Sequence, residues 1–116
     1  MKQYEFEFPH EEKNAAILLS LANSYLKVCE YDDALYFYKR LYDAEPTNSD
    51  YVTNLGIINY EMKNYPESEK FYLRSLSIEP NDRALYHYGI LLHKQKKFEQ
   101  AKKIFEKLNK FPVYDS

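Results

Sequence analysis

Residues 65–80, Tyr65-Pro66-Glu67-Ser68-Glu69-Lys70-Phe71-Tyr72-Leu73-Arg74-Ser75-Leu76-Ser77-Ile78-Glu79-Pro80, hold the key to this chain, because they answer a stretch lying 34 residues earlier. That stretch opens at Tyr31, closes at Glu45-Pro46, and sets Ala34 and Tyr38 where Ser68 and Tyr72 recur. A third copy, 33 residues further on, begins at Phe98 and carries Ala101 and Phe105 at the matching offsets. Ahead of each copy, Leu21-Ala22, Leu55-Gly56 and Tyr88-Gly89 fall into the same register. Five positions recurring together establish an internal repeat, and a repeat of this length points to a stacked architecture.

Within each unit the apolar residues keep helical spacing: Leu18, Leu21, Ala22 and Tyr25 in one segment, then Ala34, Leu35, Tyr38 and Leu41 in the next. Each unit therefore reads as a helical hairpin, and the spacing predicts six helices over 12–29, 31–44, 48–62, 65–78, 82–95 and 98–110. The Glu-Pro pairs stop the second helix of a unit, since the residue before proline is pushed out of the α region. Asn48 and Asp82 are then placed to cap the helices that follow. Asp32, Asp33, Glu67, Glu69 and Glu99 fall in the first turns of second helices, where they complement the positive dipole end, and Pro66 is tolerated there. Ala22, Gly56 and Gly89 are expected where the first helix of a hairpin crosses the second, and Ala34, Ser68 and Ala101 where the second helix meets its neighbours. Tyr31, Tyr65 and Phe98 supply large apolar bodies beside the hairpin turns.

At 116 residues the chain suits one domain. Sixteen Lys and Arg against 18 Asp and Glu, interspersed, lack the footprint of a nucleic-acid binder. The 13 Tyr and 7 Phe sit mostly in register with core positions, which argues for packing over a base-stacking platform. No apolar run reaches the roughly 20 residues that span a bilayer, and the first residues lack the order of a signal peptide, so a soluble, cytoplasmic protein is expected. Two glycines are too few for sheets with tight turns or for phosphate-cradling loops. The single Cys29 has no disulfide partner in the chain and is read as a small buried apolar residue.

Taken together, the Leu-Gly pair, the Tyr of the first helix, and the Ala, aromatic and Pro of the second resemble the tetratricopeptide repeat. Ser68 for the usual Ala, Tyr88 for Leu, Asn59 where Tyr25 would recur, and a loop one residue short after Pro80 are departures. The resemblance implies an all-α fold, a right-handed α-α superhelix of three hairpins whose first helices line a concave groove. Residues 12–116 would form the domain, with repeats at about 15–48, 49–81 and 82–111, behind an extended leader over 1–11. Phe111 and Tyr114 in the short aromatic tail are expected to cover the last hairpin. The implied function is a non-catalytic module, adaptor or co-chaperone-like, that binds a linear peptide or helix of another protein. The alternative is a scaffold subunit that self-associates through an uncapped C-terminal end into a homo-oligomer.

No catalytic, metal or cofactor constellation stands out. His87 and His93 lie six apart, about 240° around a helix, so they do not form a metal-binding pair. The run Lys94, Lys96, Lys97, Lys102 and Lys103 mixes with Glu99 and Gln100 and reads as a solvated face. One branch of the resembling family grips the terminal carboxylate of a chaperone with two Asn and several cations. On that pattern Asn23 and Asn54 match the amides, Arg83 matches one cation, His87 replaces another as a titratable one, and Leu19 replaces a third. Lys27, Asp50, Tyr60, Glu61, Tyr86, Ile90 and Lys94 would face the same groove, with Tyr60 and Tyr86 as apolar anchors. Membrane and nucleic-acid partners are not expected.

Overall fold

The computed structural model describes residues 12–108 and shows six helices, α1 (Glu12–Lys27), α2 (Tyr31–Ala44), α3 (Ser49–Glu61), α4 (Tyr65–Ile78), α5 (Asp82–Lys94) and α6 (Phe98–Leu108). All six predicted helices are present, and the predicted ends that fall within the described residues are displaced by no more than two. The leader, the aromatic tail and the end foreseen for the last helix at 110 lie outside the described residues. Every helix packs on its neighbours in sequence, and α3 also touches α5. The hairpins therefore stack in chain order, which brings the first helices, α1, α3 and α5, along one side.

Local chemistry sets the helix ends. Asn48 caps α3 by accepting from the backbone N–H of Asp50 at 3.0 Å and Tyr51 at 3.2 Å. The cap of α5 is Asn81 and not Asp82: its side chain accepts from the Ala84 N–H at 2.8 Å. The loop after Pro80 is one residue short, so the cap comes one residue sooner after the proline. Pro66 sits in the first turn of α4, where its missing N–H has no intrahelical partner to lose. Glu69 lies beyond that turn and instead accepts from the Tyr88 hydroxyl at 3.1 Å, tying α4 to α5.

The hairpin turns are one device used three times. Cys29, Lys63 and Lys96 have φ of 63°, 66° and 63°. At each, the N–H of the left-handed residue bonds back three residues, and the next N–H bonds back five. These pairs are Cys29 to Leu26 and Glu30 to Tyr25, Lys63 to Tyr60 and Asn64 to Asn59, then Lys96 to His93 and Lys97 to Leu92. This is the Schellman closure of a helix C-terminus. It corrects the reading of Cys29 as a core residue: the thiol is exposed, because the position follows the turn and not the apolar stripe.

Two apolar clusters fill the stack. Leu18, Ala22, Ala34, Phe37, Tyr38, Leu41, Tyr51, Leu55 and Ile58 form one across α1 to α3, and Tyr72, Tyr88, Leu91, Leu92 and Ala101 form the other across α4 to α6. Full burial of a side chain such as Phe37 or Leu91 stabilises by about 1.5–3 kcal/mol. The small residues sit at the predicted crossings. A Cβ at Gly56 would lie 2.5 Å from Tyr72 Cε1, and one at Gly89 would lie 2.6 Å from Phe105 Cε1. Ser68, in the place of alanine, donates to the Gly56 carbonyl at 2.8 Å, so its hydroxyl is satisfied inside the hairpin. Ser75 gathers a buried polar seam: it donates to the Ser49 carbonyl at 3.2 Å and accepts from Asn81 at 3.2 Å, with Thr53 Oγ1 at 2.7 Å. This seam fixes α5 against α3 and α4, and so positions the third wall of the groove.

Candidate peptide-binding groove

The first helices converge on a cleft of about 570 Å³. From α1 come Leu19, Ser20 and Asn23; from α3 and its cap come Asn48, Asp50, Tyr51 and Asn54; Arg83 closes the cleft from α5, and Tyr38 of α2 forms its floor. Helical spacing explains the membership: Asn23 lies four residues after Leu19, Asn54 four after Asp50, and each pair shares a face.

Arg83 and Asn54 are joined directly. The guanidinium Nη2 donates to Asn54 Oδ1 across two repeats, which leaves the Asn54 amide nitrogen as a donor. Asn54 itself is only 8% exposed. Asn23 is exposed and makes no hydrogen bond among the described residues, so both its donors and its acceptor are free for a ligand. Asn48 is different, because its oxygen is used in the cap and its nitrogen donates to Glu45 at 3.3 Å. Burial, more than any neighbouring charge, raises the phenols of Tyr38 and Tyr51 above their ordinary value, so both are neutral hydroxyls at physiological pH. The lining offers one cation, several neutral donors and one carboxylate. Among the described residues no cluster of His, Cys, Asp or Glu could hold a metal ion, and no helix is long and apolar enough to cross a membrane.

The structure separates the remaining groove residues foreseen from sequence. His87 does not line the cleft; it is half-buried, stacked on Tyr72 at 6.3 Å between ring centroids and edge-on to Tyr86 at 5.2 Å. Its pKa is lowered first by burial and then by Arg83, which makes it a neutral ring and not a cation at pH 7. Tyr60 packs against Tyr65 of its own second helix at 5.6 Å, which removes it as an open anchor. Tyr86 is 51% exposed on α5 and stays accessible. Ile90 is half-buried, while Lys27 and Lys94 are exposed at the C-terminal ends of α1 and α5. Ser20, Tyr38 and Tyr51 were not foreseen as cleft residues. Ser20 precedes Asn23 by three and Tyr51 precedes Asn54 by three, so helical period could have found those two; Tyr38, reaching in from a second helix, gave no such signal.

A family model described as tetratricopeptide repeat matches residues 29–90, and a second of the same description matches 83–112. Among solved structures, the first TPR of Spaghetti (RPAP3), bound to the HSP90 peptide SRMEEVD, is 26% identical. It superposes with a TM-score of 0.76 over 84% of this chain and 80% of that one. The first TPR domain of human RPAP3 is 27% identical with a TM-score of 0.74, over 79% of this chain and 73% of that one. The Yersinia enterocolitica type III secretion translocator chaperone SycD has a TM-score of 0.77 at 19% identity, over 81% and 72% of the two chains, a likeness of fold alone.

Proposed function

This chain belongs to the tetratricopeptide repeat family, a protein-interaction fold, and from that premise we propose that it is an adaptor or co-chaperone-like module that holds the C-terminal end of an extended peptide in its concave groove. Asn23, Asn54 and Arg83 receive the terminal carboxylate, and Tyr86 offers an apolar anchor further along. Ile90, Lys27 and Lys94 flank the path, and His87 and Tyr60 support it from behind. The observation that carries this reading is the Arg83 to Asn54 hydrogen bond inside the cleft, because it presents a guanidinium and an amide N–H together beside the unengaged Asn23. Charge-assisted bonds to a carboxylate are about twice as strong as neutral ones, and Arg presents them as a planar fork. The peptide-bound relative at 26% identity supports the same kind of ligand.

The test is calorimetry with one heptapeptide in two forms, free acid and C-terminal amide. The free acid is expected to bind and the amide to lose most of that affinity, with Arg83→Ala reducing the free acid to the level of the amide. Equal affinities for the two forms would remove the carboxylate from the site.

A second reading, a self-associating scaffold, draws on α6, where Ile104, Phe105 and Leu108 are only half-buried and no further helix covers them among the described residues. Light scattering at high micromolar concentration decides it: a dimer supports the scaffold, and a monomer removes it.

A further inference from the structure

We propose that the cleft selects a neutral or basic side chain beside the bound carboxylate and disfavours an acidic run, with Asp50 and Leu19 as the residues that set this preference. The proposal rests on the carboxylate reading above and adds the charge character of the partner: a protein C-terminus with an apolar side chain against Leu19 and a basic one against Asp50.

The charge inventory of the cleft carries the argument. Arg83 is the one cation among the lining residues and Asp50 the one carboxylate, while Glu45 stands at the rim within 3.3 Å of Asn48, so the cleft holds no surplus of positive charge before any ligand arrives. A terminal carboxylate on Arg83, Asn54 and Asn23 then uses all of the positive charge. A Glu or Asp next in the ligand would meet Asp50 with nothing to offset it. A Lys or Arg would find an acceptor that forms no ion pair among the described residues. Asp50 lies exposed in the first turn of α3, where the Asn48 cap holds its backbone at the cleft. The helix dipole accounts for a carboxylate in a first turn. It does not account for that carboxylate lining the cleft of the only guanidinium present there.

Leu19 completes the inventory. It packs on the first apolar cluster and also lines the cleft, so the α1 wall presents hydrocarbon where a further cation would favour acidic ligands. His87 does not restore that charge, being stacked on Tyr72 outside the lining. Within a Debye length of about 8 Å at physiological salt, a single carboxylate in an open groove still discriminates between charges of opposite sign.

The experiment is fluorescence anisotropy on the full chain with heptapeptides of the form Ser-Arg-Met-Val-X-X-Val, where X is Glu, Gln or Lys, each as free acid and as amide. The terminal carboxylate is then the only acid common to the series. For the free acids the expected order is Lys tighter than Gln, and Gln tighter than Glu, by about two- to fivefold per step, the size of an exposed charge pair. Added salt narrows the spread. Asp50→Asn abolishes the preference for Lys over Gln, and Leu19→Lys shifts affinity toward the Glu peptide. If the parent binds the Glu peptide tightest while amidation still weakens binding, the preference is overturned and the carboxylate reading stands. If free acids and amides bind alike, or none binds, the carboxylate reading falls and this inference falls with it. An Asp50→Asn protein that keeps the full Lys preference would remove Asp50 from the proposal.

Discussion

At Cys29, Lys63 and Lys96 the backbone adopts a left-handed conformation that costs a residue bearing a Cβ about 1–2 kcal/mol. Glycine avoids that cost and gives back part of the gain through its freer unfolded chain. Lys63→Gly should therefore raise stability by about 0.5–1 kcal/mol, read as a higher denaturation midpoint with an unchanged slope, while Lys63→Val should lower it. A Lys63→Gly midpoint at or below the parent's would contradict the left-handed turn. The column was visible in the repeat register as Cys, Lys, Lys, and two lysines at equivalent positions speak for solvent. Residue type, which places a lone cysteine in the core, pointed the other way and misled. His87 was misread for a related reason, because alignment shows which residue replaces a cation but not whether its ring stacks on Tyr72. Its folded pKa is lowered, so its contribution is fully present above the unfolded value near 6.5 and is lost as pH falls through the folded value. Melting temperatures between about pH 5 and 8 should fall more steeply on the acid side for the parent than for His87→Phe. Parallel curves would mean that the ring titrates freely.

Between elements, stability is set by how closely two helices approach, and the glycines expose that distance. A Cβ at Gly56 would press on the ring of Tyr72, which is 1% exposed and has no space to retreat. At Gly89 it would press on Phe105, which is half-buried on α6 and can swing outward. Gly56→Ala should cost about 1–3 kcal/mol, and Gly89→Ala measurably less, in paired denaturant melts. The reverse order would show that α6 is held as rigidly as α4. The positions of these crossings were legible from the repeat alone, since a small residue recurring opposite an aromatic one has few other meanings. The seam of Ser49, Thr53, Ser75 and Asn81 was not: Ser75 falls on the buried face of α4, where the pattern leads one to expect an apolar residue, and its three partners come from other segments.

For the whole molecule, the stack order was legible because repeats couple only to their neighbours, and helical period then puts the first helices on one side. The family pattern puts Leu19, Asn23, Asn54 and Arg83 in columns of the first helices and helical register adds Asp50, and these five line one cleft. Tyr38 reaching in from a second helix, and His87 stacking on Tyr72 away from the lining, become apparent only when the helices are brought face to face. That geometry has a consequence for stability. In the proposed binding mode a peptide carboxylate held by Asn23 of α1, Asn54 of α3 and Arg83 of α5 would span all three hairpins and add a tie between units that otherwise hold only their neighbours. Binding to the folded state alone stabilises by about 2.7 kcal/mol at a hundredfold excess over Kd. The distribution of that gain is the informative measurement: hydrogen exchange should slow in α1 and α5 together, because opening either outer hairpin breaks the tie. With Arg83→Ala, residual binding should protect α1 and α3 and leave α5 at the rate of the free protein. Protection confined to one hairpin in the parent would show that the ligand does not bridge the stack, and the three-repeat groove would then have to be abandoned in favour of a local site.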